Sequence, residues 1–196
     1  MKIAVILGST RPDYRLGERV AKWVMSETKN FTQAEFTLLD LREYNLPFYS
    51  EKESPRGNKD YNPPENVKKW LSDLSSADGY IFLTAEYNNA PPAAIKNALD
   101  FIAFETKRKP AAILGYTDGS NGATTAIFQL RPMLIPAGII GIQSEQVILN
   151  ADKVITEEGV AQDDSKESLE RRFTDLVENL LWYVKPLKAA RENTLA

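Results

Sequence analysis

Short apolar runs rich in β-branched residues alternate with amphipathic stretches along the whole chain, and that alternation leaves few folds open. The strand-like runs are Ile3 to Leu7, Glu35 to Asp40, Tyr80 to Thr84, Ala111 to Tyr116 and Ile139 to Leu149. Helix-like segments cover Gly17 to about Thr28, Glu65 to Ser75, Pro91 to Phe104 and Ser120 to Leu134, with a terminal helix from Lys166 to about Lys188. Val67, Trp70, Leu71 and Leu74 recur at helical spacing and mark a face turned to the core. Strands separated by helices predict an α/β fold: a doubly wound, five-stranded parallel sheet of order 2-1-3-4-5 with helices on both faces. In such sheets ligands lie beyond the carboxyl ends of the strands, at the switch point between the first and third. Leu41 to Pro64, rich in Asn, Pro and charge, is a long connection of the kind that is commonly functional or mobile.

The first strand stops abruptly at Gly8-Ser9-Thr10-Arg11, and Arg15 precedes Leu16 and Gly17 where the first helix starts. A buried parallel strand leading through a loop to a helix N-terminus is an anion site. Backbone N–H groups converge there, Ser9 and Thr10 add hydroxyls, and Arg11 offers a planar fork to a phosphate. The spacing excludes a Walker A loop, because no Gly-Lys-Ser/Thr follows Gly8. It excludes the dinucleotide fingerprint, because Thr10 stands where the second glycine belongs. Without cysteine there is no thiol phosphatase loop, and without an acidic residue ending the first strand there is no phospho-acceptor site. On its own the segment also reads as a solvated turn.

With 196 residues the chain fits one domain, expected over 1–188, with 189–196 a frayed tail. Lys and Arg number 24 against 27 Asp and Glu, so nothing favours nucleic acid or an anionic membrane. No apolar run could span a bilayer, and Met1 leads straight into the first strand with no signal segment to remove. The expected setting is cytoplasmic, which the absence of cysteine suits. The absence of histidine carries more weight. With cysteine also missing, most zinc sites and the Ser-His and Cys-His nucleophiles are excluded, so no metal is expected. Chemistry then rests on carboxylates, tyrosines, lysines or an organic cofactor with its own reactivity.

Two more loops belong to the same sheet edge. After the third strand come Thr84-Ala85-Glu86-Tyr87-Asn88-Asn89, with a flat aromatic and two turn-forming asparagines. After the fourth come Tyr116-Thr117-Asp118-Gly119-Ser120-Asn121-Gly122, where the glycines permit close approach to a flat ligand and Ser120 or Asn121 could cap the next helix. Each alone is an ordinary connection. Together they outline a phosphate on the first loop and a planar ring between the other two, the footprint of flavin mononucleotide.

These residues give the chain its resemblance to the flavodoxin-like NAD(P)H-dependent FMN reductases, relatives of quinone, azo-dye and chromate reductases. The matching segments are Gly8-Ser9-Thr10-Arg11 with Arg15 and Gly17, then Glu86-Tyr87-Asn88 with Pro91 and Ile95 to Asp100, and Gly119-Ser120 to Gly122 leading to Gln129-Leu130-Arg131. The likeness runs from residue 1 to about residue 150. It implies that Ser9, Arg11, Arg15, Leu16 and Gly17 surround the FMN phosphate. It implies that Ala85, Glu86, Tyr87 and Asn88 line the isoalloxazine ring, largely through backbone groups, and that Tyr116, Asp118, Gly119 and Ser120 close its other side. Ala85 stands where the family usually has proline, and Asp118 sets a negative charge near the ring. The implied activity is hydride transfer from NAD(P)H to FMN and on to a quinone, free flavin, azo compound or metal ion, in a ping-pong cycle. No side chain need act as acid or base, although Tyr87 could deliver a proton. The resemblance also implies a homodimer or tetramer, here through the third helix, where Phe101 and Phe104 could extend the contact. The competing reading is a flavodoxin-type electron carrier or an FMN-holding redox sensor. Arg11 and the formal charge of −3 argue against the carrier.

Overall fold

The computed structural model describes residues 1–58, 60–120 and 122–194. Five strands, β1 (Lys2–Leu7), β2 (Glu35–Asp40), β3 (Gly79–Ala85), β4 (Lys109–Tyr116) and β5 (Ile139–Ile148), form one sheet of order β2-β1-β3-β4-β5. Every pairing is parallel, with one register irregularity between β4 and β5 at Ala111 and Ile113. This is the flavodoxin-like sheet that the alternating pattern predicts. The helices are α1 (Leu16–Glu27), α2 (Leu41–Tyr44), α3 (Glu65–Ser76), α4 (Ala93–Asp100), α5 (Thr124–Leu134), α6 (Ala151–Val154) and α7 (Asp163–Thr194).

Strand side chains alternate between two cores. Ile3, Val5 and Leu7 of β1 pack with Ile81 and Leu83 of β3 under α1 and α7, against Trp23, Phe173 and Leu180. Ala4 and Ile6 face the other way with Tyr80 and Phe82, under α3, α4 and α5, against Trp70, Ile95 and Leu130. Because both faces are covered, β1, β3 and β4 are buried almost throughout.

Several element bounds differ from expectation. The helix predicted from Pro91 starts at Ala93, with Pro92 at its cap, and ends at Asp100. Phe101 and Ile102 then turn into the core while Phe104 stays exposed, so the two phenylalanines do not extend one helical face. The helix predicted from Ser120 starts at Thr124, after a turn closed by Ala123 at φ +60°. The capping role expected of Ser120 is therefore absent, and Asn121 lies outside the described residues. The terminal helix runs on to Thr194, so residues 189–194 are helical, and residues 195 and 196 lie outside the described residues. Among the described residues no helix is long and apolar enough to cross a membrane.

Candidate functional site

The loops after β1, β3 and β4 meet at the carboxyl edge of the sheet around a cleft of about 260 Å³. Arg11, Tyr14, Leu16, Gly17, Ala85, Glu86, Tyr87, Tyr116, Thr117 and Asp118 line it, together with Arg19 and Asp152 from beyond the three loops. Gly119 and Ser120 are exposed beside it. A larger groove of about 680 Å³ runs between α4 and α5 and includes Lys96, Leu99, Gln129 and Met133, away from the strand ends.

In the first loop Ser9 is buried, and its Oγ lies 2.9 Å from the Tyr87 hydroxyl. The Arg11 guanidinium lies over the Tyr87 ring, 4.6 Å from its centroid. Thus one aromatic side chain of the β3 loop touches two residues of the phosphate-type loop. Tyr14, at φ +48°, is fully exposed at the lip. Helix α1 begins with no side-chain cap at Arg15, so its first N–H groups have no local side-chain acceptor.

Arg15 is placed differently from Arg11. Its Nη1 and Nη2 donate to the two carboxylate oxygens of Asp40, at 2.5 and 2.7 Å. The Arg15 side chain is only 1% exposed, and Asp40 ends β2, next to β1 in the sheet. The fork that the sequence assigns to phosphate is thus occupied by a neighbouring strand. Only its buried Nε lacks a hydrogen-bond partner.

Tyr116 is the last residue of β4, and its parity with Ala112 and Leu114 points it toward α1. Its hydroxyl lies over Gly17, where an added Cβ would stand 2.2 Å from it. The side chain therefore reaches from the end of β4 to the start of α1 and lines the cleft there. Burial holds the phenol protonated well above its usual range, and Tyr87 acts in the same direction. Arg15 and Ser9 nearby oppose this. No hydrogen bond of sound geometry reaches the hydroxyl, so a buried donor faces the cleft unpartnered.

The β3 loop closes as a two-residue hairpin. Asn88 and Asn89 take φ +51° and +60°, and the N–H groups of Tyr87 and Ala90 donate to each other's carbonyls. That is the primed turn which asparagine tolerates, and it leaves the Asn88 and Asn89 N–H groups outside the turn's own bonds. Glu86 does more than lend backbone. Its Oε2 accepts the N–H of Ala126 at 3.0 Å, supplying α5 with the cap its own sequence lacks. Gln129 Nε2 donates to Asn89 O at 2.6 Å. The two bonds fasten the ring-side loop to the helix that follows the third loop. Sequence reading missed this strut, because it joins segments forty residues apart. Lys96 and Asp100 form an exposed pair one turn apart, outside the cleft.

Comparison with known proteins gives one family. The family model described as NADPH-dependent FMN reductase matches residues 1–153. An NAD(P)H-dependent FMN reductase of Schizosaccharomyces pombe is 36% identical over 130 residues, 66% of this chain and 64% of that protein. The chain thus spans a little under two thirds of that relative, and 65% of a Nectria protein of the same description at 36% identity. An NADPH azoreductase of Bacillus sp. is 31% identical over 194 residues, 98% of this chain and 97% of that one. Among solved structures, the flavoenzyme NAD(P)H:(acceptor) oxidoreductase FerB of Paracoccus denitrificans superposes with a TM-score of 0.74 at 25% identity. That superposition covers 96% of this chain and 97% of FerB.

Proposed function

The chain belongs to the NADPH-dependent FMN reductase family, and from that premise we propose that it holds FMN in the carboxyl-edge cleft and works as an NAD(P)H-dependent reductase of small acceptors in the cytoplasm. The observation that carries this reading is the unpartnered, buried Tyr116 hydroxyl set over Gly17 at an uncapped helix start. A monoanionic or dianionic phosphate satisfies that donor and the α1 N–H groups together. When bound, FMN would supply a two-electron centre that accepts hydride from NAD(P)H and passes the two electrons on, as hydride or singly, to a quinone, free flavin, azo compound or metal ion.

The residues divide the work by position. Ser9, Arg11, Leu16, Gly17 and Tyr116 receive the phosphate, with Arg15 behind them fixing the loop to β2. Ala85, Glu86, Tyr87 and Asn88 present backbone to one edge of the ring, and Asp118, Gly119 and Ser120 border the other. Glu86 keeps the two loops at a constant separation through α5. Tyr87, a hydroxyl-bearing ring that lines the cleft, is the candidate proton donor to a quinone. One small cleft leaves donor and acceptor to occupy it in turn, a ping-pong cycle. Self-association as a dimer or tetramer belongs to the same reading, through α4, where exposed Phe48 flanks the helix and the α4–α5 groove adjoins it.

The test is a fluorescence titration with FMN and riboflavin, followed by anaerobic mixing with NADH or NADPH. FMN binds more tightly than riboflavin, the flavin bleaches with a nicotinamide donor, and double-reciprocal plots with a quinone are parallel. Equal affinity for the two flavins removes the phosphate assignment. A flavin that neither donor bleaches makes the protein an electron carrier or sensor. Converging plots place the acceptor at a separate site.

A further inference from the structure

At the opposite, amino-terminal edge of the sheet a second concavity of about 480 Å³ lies between the loop entering β4 and the end of α7. Five cationic side chains line it, Lys107, Arg108, Lys109, Lys188 and Arg191, against three carboxylates, Asp78, Glu105 and Glu192. The carboxylates are already engaged. Asp78 accepts from the Lys2 N–H at 2.9 Å, from Lys188 Nζ at 2.9 Å and from Arg191 Nη2 at 3.4 Å. Glu105 accepts the N–H groups of Ala103 and Phe104 at 2.8 and 2.9 Å, and Glu192 reaches only Lys188, at 4.0 Å. Among the described residues no carboxylate lies within ion-pair distance of Lys107, Arg108 or Lys109.

The backbone holds this tripeptide in a strained presentation. Arg108 sits at φ +61°, its N–H donates to Gly138 O at 2.8 Å, and its carbonyl accepts Arg191 Nη1 at 2.9 Å. Lys109 is 7% exposed, and its Nζ donates to Ser75 O at 2.7 Å and to Leu74 O at 3.2 Å. Two of its three protons are thereby engaged at the end of α3. Capping that helix accounts for Lys109 alone. It does not account for two further unpaired cations beside it, whose mutual repulsion the fold retains.

We propose that this concavity is a binding site for a small polyphosphate-bearing anion, held by Lys107, Arg108 and Lys109. Phe104, 60% exposed at the rim, has the Arg56 guanidinium over one face, 5.6 Å from its centroid, and offers the other to a base if the anion is a nucleotide. The site carries a proton linkage. Burial pulls the Lys109 ammonium down to about 8, Arg191 adds to that, and Asp78 and Glu105 oppose it. Tyr80, whose ring centroid is 6.0 Å from Nζ, stays protonated far above that range. Lys188 and Arg191 of α7 are tied to Asp78, whose hydrogen bond raises the Lys188 ammonium. An anion beside Lys109 favours its charged form, so binding takes up a proton near pH 8 and weakens above it.

The test is calorimetric titration of the FMN-saturated full chain, with its carboxyl-edge cleft filled, using inorganic pyrophosphate and, separately, ADP. Saturable binding of either probe is expected, weakened roughly tenfold by Arg108→Glu, a change at an exposed position. ADP affinity falls several-fold between about pH 7.5 and pH 9 in the parent protein and stays flat in Lys109→Met. Tighter binding of ADP than of pyrophosphate, lost in Phe104→Ala, identifies the ligand as a nucleotide. Equal binding identifies the polyphosphate itself as sufficient. If Lys109→Met fails to fold, Lys107→Glu takes its place, with the same roughly tenfold loss expected as for Arg108→Glu. No saturable binding in the millimolar range, or binding indifferent to these reversals, overturns the site. None of these results depends on turnover at the carboxyl edge.

Discussion

The two edges of this sheet treat their buried polar groups in opposite ways. At the carboxyl edge two buried donors, the Tyr116 hydroxyl and Arg15 Nε, have no partner, and the loops pass through positive φ at Tyr14, Asn88, Asn89 and Ala123. At the amino edge Asp78 accepts from β1 and twice from α7, binding the chain's beginning to its end. An unpaired buried donor costs about 1–3 kcal/mol, and one that lines a cleft can recover that loss from a ligand, as the core donor Trp23 Nε1 cannot. A saturated carboxylate needs no ligand and serves the fold. The same contrast recurs inside the cleft, where both Nη groups of Arg15 are held by Asp40 and Arg11 has a ring face beneath it.

The sharpest way to break the contrast is to remove an arginine of each kind. Arg15→Ala leaves Asp40, at the end of β2, only partly compensated, by the Arg42 N–H at 2.9 Å and the Arg42 guanidinium at 3.9 Å. Loss of one member of a buried pair costs about 3–5 kcal/mol, so urea denaturation of the flavin-free protein should show a loss near that size. Arg11→Ala should leave the same denaturation curve unmoved within about 0.5 kcal/mol. Its effect belongs to the ligand, a loss of about 1.5–3 kcal/mol in FMN affinity. If both variants lose stability equally, the division between scaffold arginine and ligand arginine fails.

The amino edge answers to pH. Burial alone would raise the Asp78 carboxyl, but hydrogen bonds from Lys188 and the Lys2 N–H, with the charges of Lys188 and Arg191, hold it below the usual 3.8. A carboxyl depressed in the folded state stabilises the fold above its unfolded value and loses that contribution as pH falls through the folded one. Asp78→Asn should therefore cost about 1–2 kcal/mol at neutral pH and flatten the fall in stability below about pH 4, with FMN affinity unchanged. A change in FMN affinity would couple the two edges, and the contrast between them would have to be redrawn as one network.

The fold was readable because its patterns are local. Unbroken apolar runs in β1, β3 and β4 and helical spacing in α3 need only neighbouring residues, and the strand order is one that the connection rules favour. The loops that gather at the cleft were readable for the same reason. What escaped was pairing between distant segments. Arg15 has a local pattern identical to that of a phosphate ligand, and only the acidic end of the neighbouring strand, Asp40, signals otherwise. Glu86 as the cap of α5 had a sequence signal in hindsight, since Ala123 offers that helix no cap. The contact of Tyr116 with the start of α1 was legible from its parity with Leu114, which turns it toward that helix.

Tyr116 also gives the smallest and most discriminating test. Phenylalanine keeps the ring that fills the space against Leu7 and Gly17 and removes only the hydroxyl. In the flavin-free protein that hydroxyl is buried without a partner, so its removal should leave stability unchanged or raise it by about 1 kcal/mol. If, as proposed, the same hydroxyl donates to the FMN phosphate, FMN affinity should fall by about 1 kcal/mol, roughly fivefold. Riboflavin, which has no phosphate, should bind the variant and the parent alike. Opposite signs in melting and titration are what a donor reserved for a ligand produces. Equal losses in both would mean that the hydroxyl is structural and that the carboxyl edge, like Asp78 at the other end, is already satisfied.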